Sequence, residues 1–185
     1  PDIAFINGRF LPWEEATVSI DDRGFQFGDA VYEVIRTYRG TPFEFAAHLA
    51  RLNRSVGELS LCQPYTKAQW TRWIQQGLSL AGYQDAKIYI QVTRGVAPRE
   101  HSFPADILPT VVMTIREFHP LAPDVRRTGV SACTREDLRW GRCDIKSVNL
   151  LANVLAREEA KKAGVFETIL VRDGFVMEGA LSNVM

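Results

Sequence analysis

Residues 21–43, DDRGFQFGDAVYEVIRTYRGTPF, decide the fold, because a turn, a strand and a second turn follow one another there. The first residues of the stretch are rich in aspartate and glycine, which favour turns. From Ala30 to Tyr38 the β-branched and aromatic residues predict a strand. Arg39-Gly40, followed closely by Pro42, predicts the turn that ends this strand.

Hairpin and helix patterns surround this stretch. Asn7-Gly8 lies between two apolar runs and predicts a type I′ hairpin. Apolar residues at helical spacing predict a first helix: Leu49, Leu52, Val56 and Leu59. A second helix is predicted to begin at a capping box formed by Thr66 and Gln69 and to stop at Gly82.

Two further strands are predicted on either side of a polar loop. Residues 86–95 and 109–118 alternate in the manner of strands, and residues 96–108 between them are polar and interrupted by prolines. Residues 118–125 contain two prolines and change the pattern again, so we predict a linker there. The chain is thereby divided into two domains, 1–118 and 119–185.

The second part of the chain is shorter and also combines strand, helix and hairpin patterns. A strand is predicted at 129–136, followed by a helix that Ser147 caps and that Lys161, Lys162 and Gly164 close. Asp173-Gly174 predicts a final hairpin, and the sequence ends within its pattern, so we expect a C-terminal part to be missing. Hairpins mixed with helices predict an α+β fold rather than a doubly wound parallel sheet.

The composition argues against several classes of protein. Lys+Arg and Asp+Glu number 22 each, so no electrostatic footprint for nucleic acid or a membrane surface is present. Three cysteines are too few for a disulfide framework, and the three histidines lack metal-ligand spacing. With no visible signal peptide or membrane span, we expect a cytoplasmic protein without a metal site.

Lys146 has the most unusual position among the lysines. It stands directly before the predicted helix cap and beside apolar residues, where a charged ammonium would be unfavourable. Burial and a helix N-terminus would both favour a neutral amine, which attacks carbonyl groups and forms Schiff bases. The alternative is an ordinary lysine that extends its amine into solvent.

Four other residues carry weaker signals. Arg51 follows His48 by one helical turn and could bind phosphate, or it could lie on a solvated helix face. Arg99 and His101 are separated by one residue, so both could point at one carboxylate, although a polar loop would look the same. Glu178 follows a strand and could hold a protonated ring nitrogen, or it could be a solvated hairpin residue.

Taken together, five segments resemble those of the fold-type IV pyridoxal-phosphate aminotransferases, with the D-amino acid aminotransferases as the nearest group. They occur in the family's order: DDRGFQFGDAVYEV, HLARL, TRGVAPREHSFP, DIKSVNLLANVLA and EGALSN. The resemblance covers nearly the whole chain, and the combination is specific although each segment alone is weak. It implies a two-domain fold with a small N-terminal α/β domain and an incomplete, larger cofactor-binding domain.

The resemblance also implies a cofactor, pyridoxal 5′-phosphate, and a role for each candidate. Lys146 would form the internal aldimine and move the substrate proton, while Glu178 would pair with the pyridinium nitrogen. Arg51 would bind the cofactor phosphate. Ser182 and Asn183 would line the cofactor. The substrate carboxylate would be held by Tyr32 together with two residues donated by the partner subunit of a homodimer, Arg99 and His101.

The implied reaction is ping-pong transamination between a D-amino acid and a 2-oxo acid. The position of the carboxylate-binding residues would turn the Cα–H of the D-enantiomer towards Lys146. Three alternatives remain open at this point: an aminodeoxychorismate lyase, a branched-chain or R-amine aminotransferase of the same fold, and a truncated dimerisation module without cofactor. The arginine and histidine of the 96–108 loop argue against the lyase.

Overall fold

The computed structural model describes all 185 residues of the chain. They form two compact units: the first contains Pro1–His119 and Asp144–Val148, and the second contains Pro120–Cys143 and Asn149–Met185. The division into domains 1–118 and 119–185 stays a prediction. The segment around Lys146, Asp144–Val148, lies far along the chain from the rest of the first unit but belongs to it.

The first unit is built on a six-stranded sheet. Its strands are β1 (Ile3–Ile6), β2 (Arg9–Leu11), β3 (Ala30–Tyr38), β4 (Thr41–Pro42), β5 (Ala86–Thr93) and β6 (Val111–Glu117). Their spatial order is β2-β1-β6-β5-β3-β4, and every pair is antiparallel. The predicted bounds of β3 are confirmed.

Two helices, α2 (Phe45–Glu58) and α3 (Lys67–Ala81), cover one face of this sheet and enclose the core. The unit also contains a 3-10 turn (Trp13–Glu15) and the short helix α1 (Arg23–Phe27). α2 packs on β3, and α3 packs on β1 and β6. Successive strand residues point to opposite faces, so alternate side chains enter the core. The fully buried ones include Phe5, Ile35, Leu52, Trp70, Ile74, Ile88 and Met113.

The turn and cap predictions of the first unit are confirmed. Asn7 and Gly8 both have positive φ, 48° and 89°, as a type I′ turn requires. Thr66 and Gln69 form a reciprocal capping box at the start of α3, and Gly82 ends the helix in the left-handed conformation.

The second unit contains a three-stranded sheet and two helices. Its elements are α4 (Pro123–Thr128), β7 (Ala132–Glu136), α5 (Leu151–Lys162), β8 (Glu167–Arg172) and β9 (Phe175–Gly179). β7 pairs with β8 in parallel, and β8 pairs with β9 antiparallel through the predicted hairpin at Asp173-Gly174. No helix of the chain has both the length and the apolar character needed to cross a membrane.

One local prediction was wrong. Ser147 does not cap a helix, because α5 begins at Leu151 after an N-cap at Leu150 that makes no side-chain bond. Ser147 instead forms an antiparallel bridge with Val31 of β3, since extended backbone there can satisfy its hydrogen bonds against the strand edge. The linker at 118–125 stays a prediction; its last three residues begin α4, with Pro123 in the first turn, a position that tolerates proline.

Candidate active site

The backbone of Lys146 is fixed against β3 and α2. Its carbonyl accepts a hydrogen bond of 2.9 Å from the amide of Tyr32, and its amide donates to Ser55 Oγ at 3.2 Å. One residue before it, Ile145 is buried in the core of the first unit. Lys146 therefore starts from a rigid strand edge, and the helix-terminus argument for a neutral amine no longer applies.

The side chain of Lys146 lies beside that of Tyr32. Lys146 Nζ donates to Tyr32 Oη at 3.4 Å and stands 4.4 Å from the centre of the tyrosine ring. Tyr32 points away from the buried core, because its neighbours Val31 and Glu33 occupy the opposite face of β3. Two residues predicted for one site are thus brought together.

Tyr89 extends this polar group along the sheet. Its ring stacks on that of Tyr32, with centroids 5.8 Å apart, and its hydroxyl donates to Gln91 Oε1 at 2.6 Å. Burial, with a smaller contribution from the charge of Tyr32, raises the pKa of Tyr89 to about 12. Tyr89 is therefore a neutral donor at physiological pH.

Arg51 lies on α2, where it pairs with a carboxylate on the core side of β3. Arg51 Nε donates to Glu33 Oε1 at 2.5 Å, and Nη2 donates to Glu33 Oε2 at 2.8 Å. His48 Nδ1 lies 2.8 Å from the same Oε2 atom. The side chain of Arg51 is 42% exposed while that of Glu33 is only 1% exposed. The guanidinium is anchored on its inner edge and open on its outer edge.

The charges of this group stabilise each other. Burial acts to raise the pKa of Glu33, but hydrogen bonds from Arg51 and His48, together with their charges, bring that pKa below its usual value. The hydrogen bond that Arg51 donates to Glu33 raises the pKa of Arg51. Glu33 is a buried anion at neutral pH, and Arg51 remains a cation.

Arg99 and His101 both contact one aromatic ring. The guanidinium carbon of Arg99 lies 4.8 Å from the ring centre of Phe27, and the imidazole centre of His101 lies 5.3 Å from it. Both side chains belong to an exposed stretch of the 96–108 loop. The structure therefore brings this predicted pair together on the surface of the first unit.

Glu178 lies in the second unit, within a cluster of charges. It accepts a hydrogen bond from Arg139, which also binds Asp137 through Nε at 2.8 Å and Nη2 at 2.9 Å. Arg172 binds the same aspartate at 3.0 Å. Hydrogen bonding to Arg139 is the main reason why the pKa of Asp137 lies below its usual value. Glu178 is consequently held by an arginine that is itself fixed.

Ser182 is bound by a buried carboxylate. Its hydroxyl donates to Glu167 Oε2 at 2.8 Å, and the amides of Thr168 and Leu181 donate to the two carboxylate oxygens. Burial acts to raise the pKa of Glu167, but these bonds lower it below its usual value. Asn183 follows in an exposed position.

Several of these supporting residues escaped the sequence analysis. Glu33 had a readable signal, because it shares its parity in the predicted strand with the apolar residues Val31 and Ile35. Asp137 and Arg139 had none: they bind each other within one loop, and their other partners, Arg172 and Glu178, are distant in sequence. The predicted site residues themselves divide between the units: Lys146, Tyr32, Arg51, Arg99 and His101 in the first, and Glu178, Ser182 and Asn183 in the second.

The chemistry of these groups fits the cofactor predicted from the sequence. Lys146 offers an amine for an aldehyde, and the outer edge of Arg51 offers donors for a phosphate. The bonds to Glu33 use Nε and Nη2 of Arg51, so Nη1 is directed elsewhere. Glu178 offers a half-exposed carboxylate for a protonated ring nitrogen.

The family comparison agrees with the cofactor chemistry of these groups. Residues 30–185 match the model described as amino-transferase class IV, and the chain belongs to this family. The predicted resemblance to fold-type IV enzymes is thereby confirmed, and so is the α+β fold class.

Two curated relatives of this chain are D-alanine aminotransferases. The chain is 45% identical over 179 residues to a D-alanine aminotransferase of Bacillus licheniformis, which covers 96% of this chain and 62% of the relative. It is 46% identical over 180 residues to a D-alanine aminotransferase of Staphylococcus haemolyticus, covering 97% and 64%. The chain therefore spans less than two thirds of the length of these relatives.

Solved structures share the fold. A branched-chain aminotransferase from Thermoproteus uzoniensis matches with a TM-score of 0.84 at 23% identity, over 96% of this chain and 62% of that one. The branched-chain enzyme of Escherichia coli matches with a TM-score of 0.85 at 22% identity, over 97% and 61%. At these identities the likeness concerns the fold alone.

Proposed function

We propose that this protein catalyses transamination between a D-amino acid and a 2-oxo acid with pyridoxal 5′-phosphate as cofactor. D-Alanine is the first substrate to test, because the curated relatives are D-alanine aminotransferases at 41–46% identity. The observation that carries the proposal is the placement of Lys146 Nζ 3.4 Å from Tyr32 Oη on a backbone fixed at the edge of β3.

Five residues are proposed to hold the cofactor. Lys146 would bind its aldehyde carbon through Nζ, and Arg51 would bind its phosphate. Glu178 would accept a hydrogen bond from the ring nitrogen, with Ser182 and Asn183 lining the ring. When bound, pyridoxal phosphate supplies an electron sink for the electron pair of the substrate Cα–H bond.

The chain's own residues would orient the substrate and move its proton. Tyr32, with Arg99 and His101 of the partner subunit in a homodimer, would bind the substrate carboxylate through donors only. This fixes which bond of Cα faces Lys146. The amine of Lys146 would take the Cα proton of the D-enantiomer and deliver it to the C4′ carbon of the cofactor, acting as general base and then as general acid.

The reaction would proceed in two halves that use the same residues. In the first half a D-amino acid leaves as a 2-oxo acid, and in the second half another 2-oxo acid takes up the amino group. Because both substrates would be bound by their carboxylates, a single set of donors serves the two halves.

A cytoplasmic location fits this proposal, because the three cysteines are free, as expected in a reducing compartment.

The test is a substrate-resolved assay of the chain with added pyridoxal phosphate. We expect a yellow protein whose chromophore borohydride reduces, and pyruvate formation from D-alanine that depends on 2-oxoglutarate. L-Alanine should give a much lower rate. Pyruvate released from aminodeoxychorismate without an acceptor would indicate a lyase, and faster turnover of L-valine or an R-amine would indicate the other aminotransferases. A protein that stays colourless would support a dimerisation module. A lyase, another type of aminotransferase or a colourless protein would each refute the proposal.

A further inference from the structure

The segment that decides the fold is joined to the base of the 96–108 loop. Asp22 accepts hydrogen bonds from the Gly24 amide at 2.8 Å and from the Thr93 hydroxyl at 3.0 Å. The amide of Arg23 donates to the Gly95 carbonyl at 2.9 Å, and Asp22 bridges to Val96. These bonds fix the base of the loop that carries Arg99 and His101.

Gly95 shows how closely this base is packed. Its φ is 114°, and a Cβ atom built on it would lie 2.0 Å from the carbonyl oxygen of Leu108. Any side chain at residue 95 would therefore push the two ends of the loop apart. The close approach of Gly95 and Leu108 leaves residues 96–107 as a loop with a narrow neck.

A buried group of charges lies beside this neck. The carboxylate of Asp29 accepts from Arg23 Nε at 2.9 Å and from Arg94 through Nε at 2.6 Å and Nη2 at 3.0 Å. Arg23 is 3% exposed and Arg94 is 5% exposed. Two buried guanidinium groups on one carboxylate form a rigid arrangement, because each arginine presents its donors in a fixed plane.

The far side of Arg23 reaches the loop itself. Arg23 Nη1 donates to the carbonyl of Glu100, and Nη2 donates to the carbonyl of His101 at 3.4 Å. These two carbonyls belong to the two residues that follow Arg99 in the chain. A single side chain, anchored by Asp29, thus binds the backbone between and after the two residues proposed to bind substrate.

We propose that Arg23 is a positioning residue for the substrate carboxylate: it holds the backbone at Glu100 and His101 so that Arg99 and His101 present their side chains together. This inference rests on the proposed function. Arg23 touches neither substrate nor cofactor in this role. It acts through the backbone of the loop.

A lysine could not replace this arginine. The guanidinium makes bonds in three directions, to Asp29 and to two carbonyls, whereas an ammonium at the end of a flexible chain has no fixed plane. Phe27 adds a second contact, because its ring touches Arg99 and His101 and also lies 4.8 Å from the guanidinium carbon of Arg23. Phe27 and Arg23 therefore support the pair jointly.

The experiment compares wild type, Arg23→Lys, Phe27→Leu and a matched control, Arg36→Lys. Arg36 is a partly buried arginine of β3 that pairs with Asp85 at 3.8 Å and stacks on Tyr38 and Phe118, away from the loop. Three quantities are measured with cofactor present: backbone amide order parameters at residues 99–102, kcat and KM for D-alanine, and the affinity for pyridoxal phosphate.

For Arg23→Lys we expect the loop order parameters to fall from about 0.85 to below about 0.6. The KM for D-alanine should rise about tenfold, while kcat changes by less than about threefold, since the lost interaction orients the bound carboxylate. The affinity of Arg23→Lys for pyridoxal phosphate should equal that of wild type. Arg36→Lys should match wild type in every measurement. Phe27→Leu should raise KM by roughly threefold, because the ring that contacts Arg99 and His101 is lost.

Three results would overturn the inference. One is a loop as ordered as in wild type, and another is a disordered loop with unchanged KM. The third is a parallel loss of cofactor affinity, which would indicate general distortion. If Arg23→Lys does not fold, an unchanged KM in Phe27→Leu is decisive against the positioned pair. A wild-type chain without transaminase activity refutes the proposed function instead. The inference then fails if the loop of Arg23→Lys is as ordered as that of wild type, or if D-alanine shifts the His101 resonances equally in wild type and Arg23→Lys.

Discussion

The carboxylate of Glu33 binds the guanidinium of Arg51 through two parallel hydrogen bonds, at 2.5 Å and 2.8 Å. Glu33 points into the core from β3, and Arg51 approaches it from α2. A bidentate bond of this kind fixes both the position and the plane of the guanidinium. The proposed phosphate ligand is therefore oriented from inside the protein, by a residue that is itself 1% exposed on its side chain.

This bond makes stability depend on pH through Glu33. Its pKa is lower in the folded protein than its ordinary 4.5, so the carboxylate stabilises the fold above pH 4.5. As pH falls from 4.5 towards the lowered folded-state pKa, that contribution should be lost. In Glu33→Gln, urea unfolding at neutral pH should show a loss of about 1–3 kcal/mol. Its stability between pH 5 and pH 3 should decline less steeply than that of wild type.

The control for this measurement is Glu14→Gln, because Glu14 is an exposed acid of the same unit. It should reproduce the wild-type pH profile. Equal slopes for wild type and Glu33→Gln would show that the ion pair does not carry the effect.

Replacing Lys146 should abolish covalent cofactor binding. Lys146→Ala removes the only amine that stands beside Tyr32, so borohydride treatment should leave no cofactor attached to the chain. Transamination should fall by about a hundredfold to ten-thousandfold, as expected when a proton-transfer group is removed. Mass spectrometry of the reduced protein and a pyruvate assay measure the two effects. Lys87→Ala, an exposed lysine of β5, should behave as wild type; cofactor attached to residue 87 would contradict the assignment.

Removing Arg99 should weaken carboxylate binding. In Arg99→Ala we expect KM for D-alanine to rise about tenfold to a hundredfold, because a charge-assisted hydrogen bond to the carboxylate is lost. Steady-state kinetics with D-alanine and 2-oxoglutarate measure this change. Arg39→Ala, at the exposed turn after β3, serves as the control. Unchanged D-alanine kinetics in Arg99→Ala would remove this residue from the substrate site.

Glu178 should affect chemistry more than cofactor retention. A neutral amide in Glu178→Gln cannot stabilise a protonated ring nitrogen, so kcat should fall about a hundredfold while the yellow colour persists. Absorbance spectra and kcat give the two readouts. Glu158→Gln, an exposed position of α5, is the matched change. If kcat is retained in Glu178→Gln, the pairing with the ring nitrogen is wrong.

The sequence predicted local structure well where the signal was local. The Asn7-Gly8 hairpin, the capping box at Thr66 and the bounds of β3 all depend on neighbouring residues, and all are confirmed. The start of α5 was mispredicted because residues 144–148 pair with β3, a partner more than a hundred positions away. Local capping chemistry at Ser147 was outweighed by this long-range pairing.

The candidate site, too, could be predicted only where the signal lies in the residue itself or in its near neighbours. Residues with a chemical signature, such as Lys146 and the Arg99–His101 pair, could be selected from the sequence together with a family resemblance. The groups that support them, Glu33, Arg23 and Asp137, were not assigned partners. Glu33 meets Arg51 across a turn and part of a helix, whereas the pairs Arg23–Asp29 and Asp137–Arg139 are close in sequence and depend on the path of the backbone between them. Which residue touches the candidates is set by tertiary packing, and hydrophobic periodicity does not encode it.

The short return of the chain to the first unit restricts how this protein can be divided or recombined. A chimera joined at residues 118–119 would take Asp144–Val148 from one parent and β3 from the other. The amide of Tyr32 and the hydroxyl of Ser55 would then meet a foreign peptide, and buried Ile145 would have to fit a foreign core. Exchanges between homologues should therefore inherit residues 144–148 with the N-terminal parent, so that the lysine stays with the strand against which it evolved.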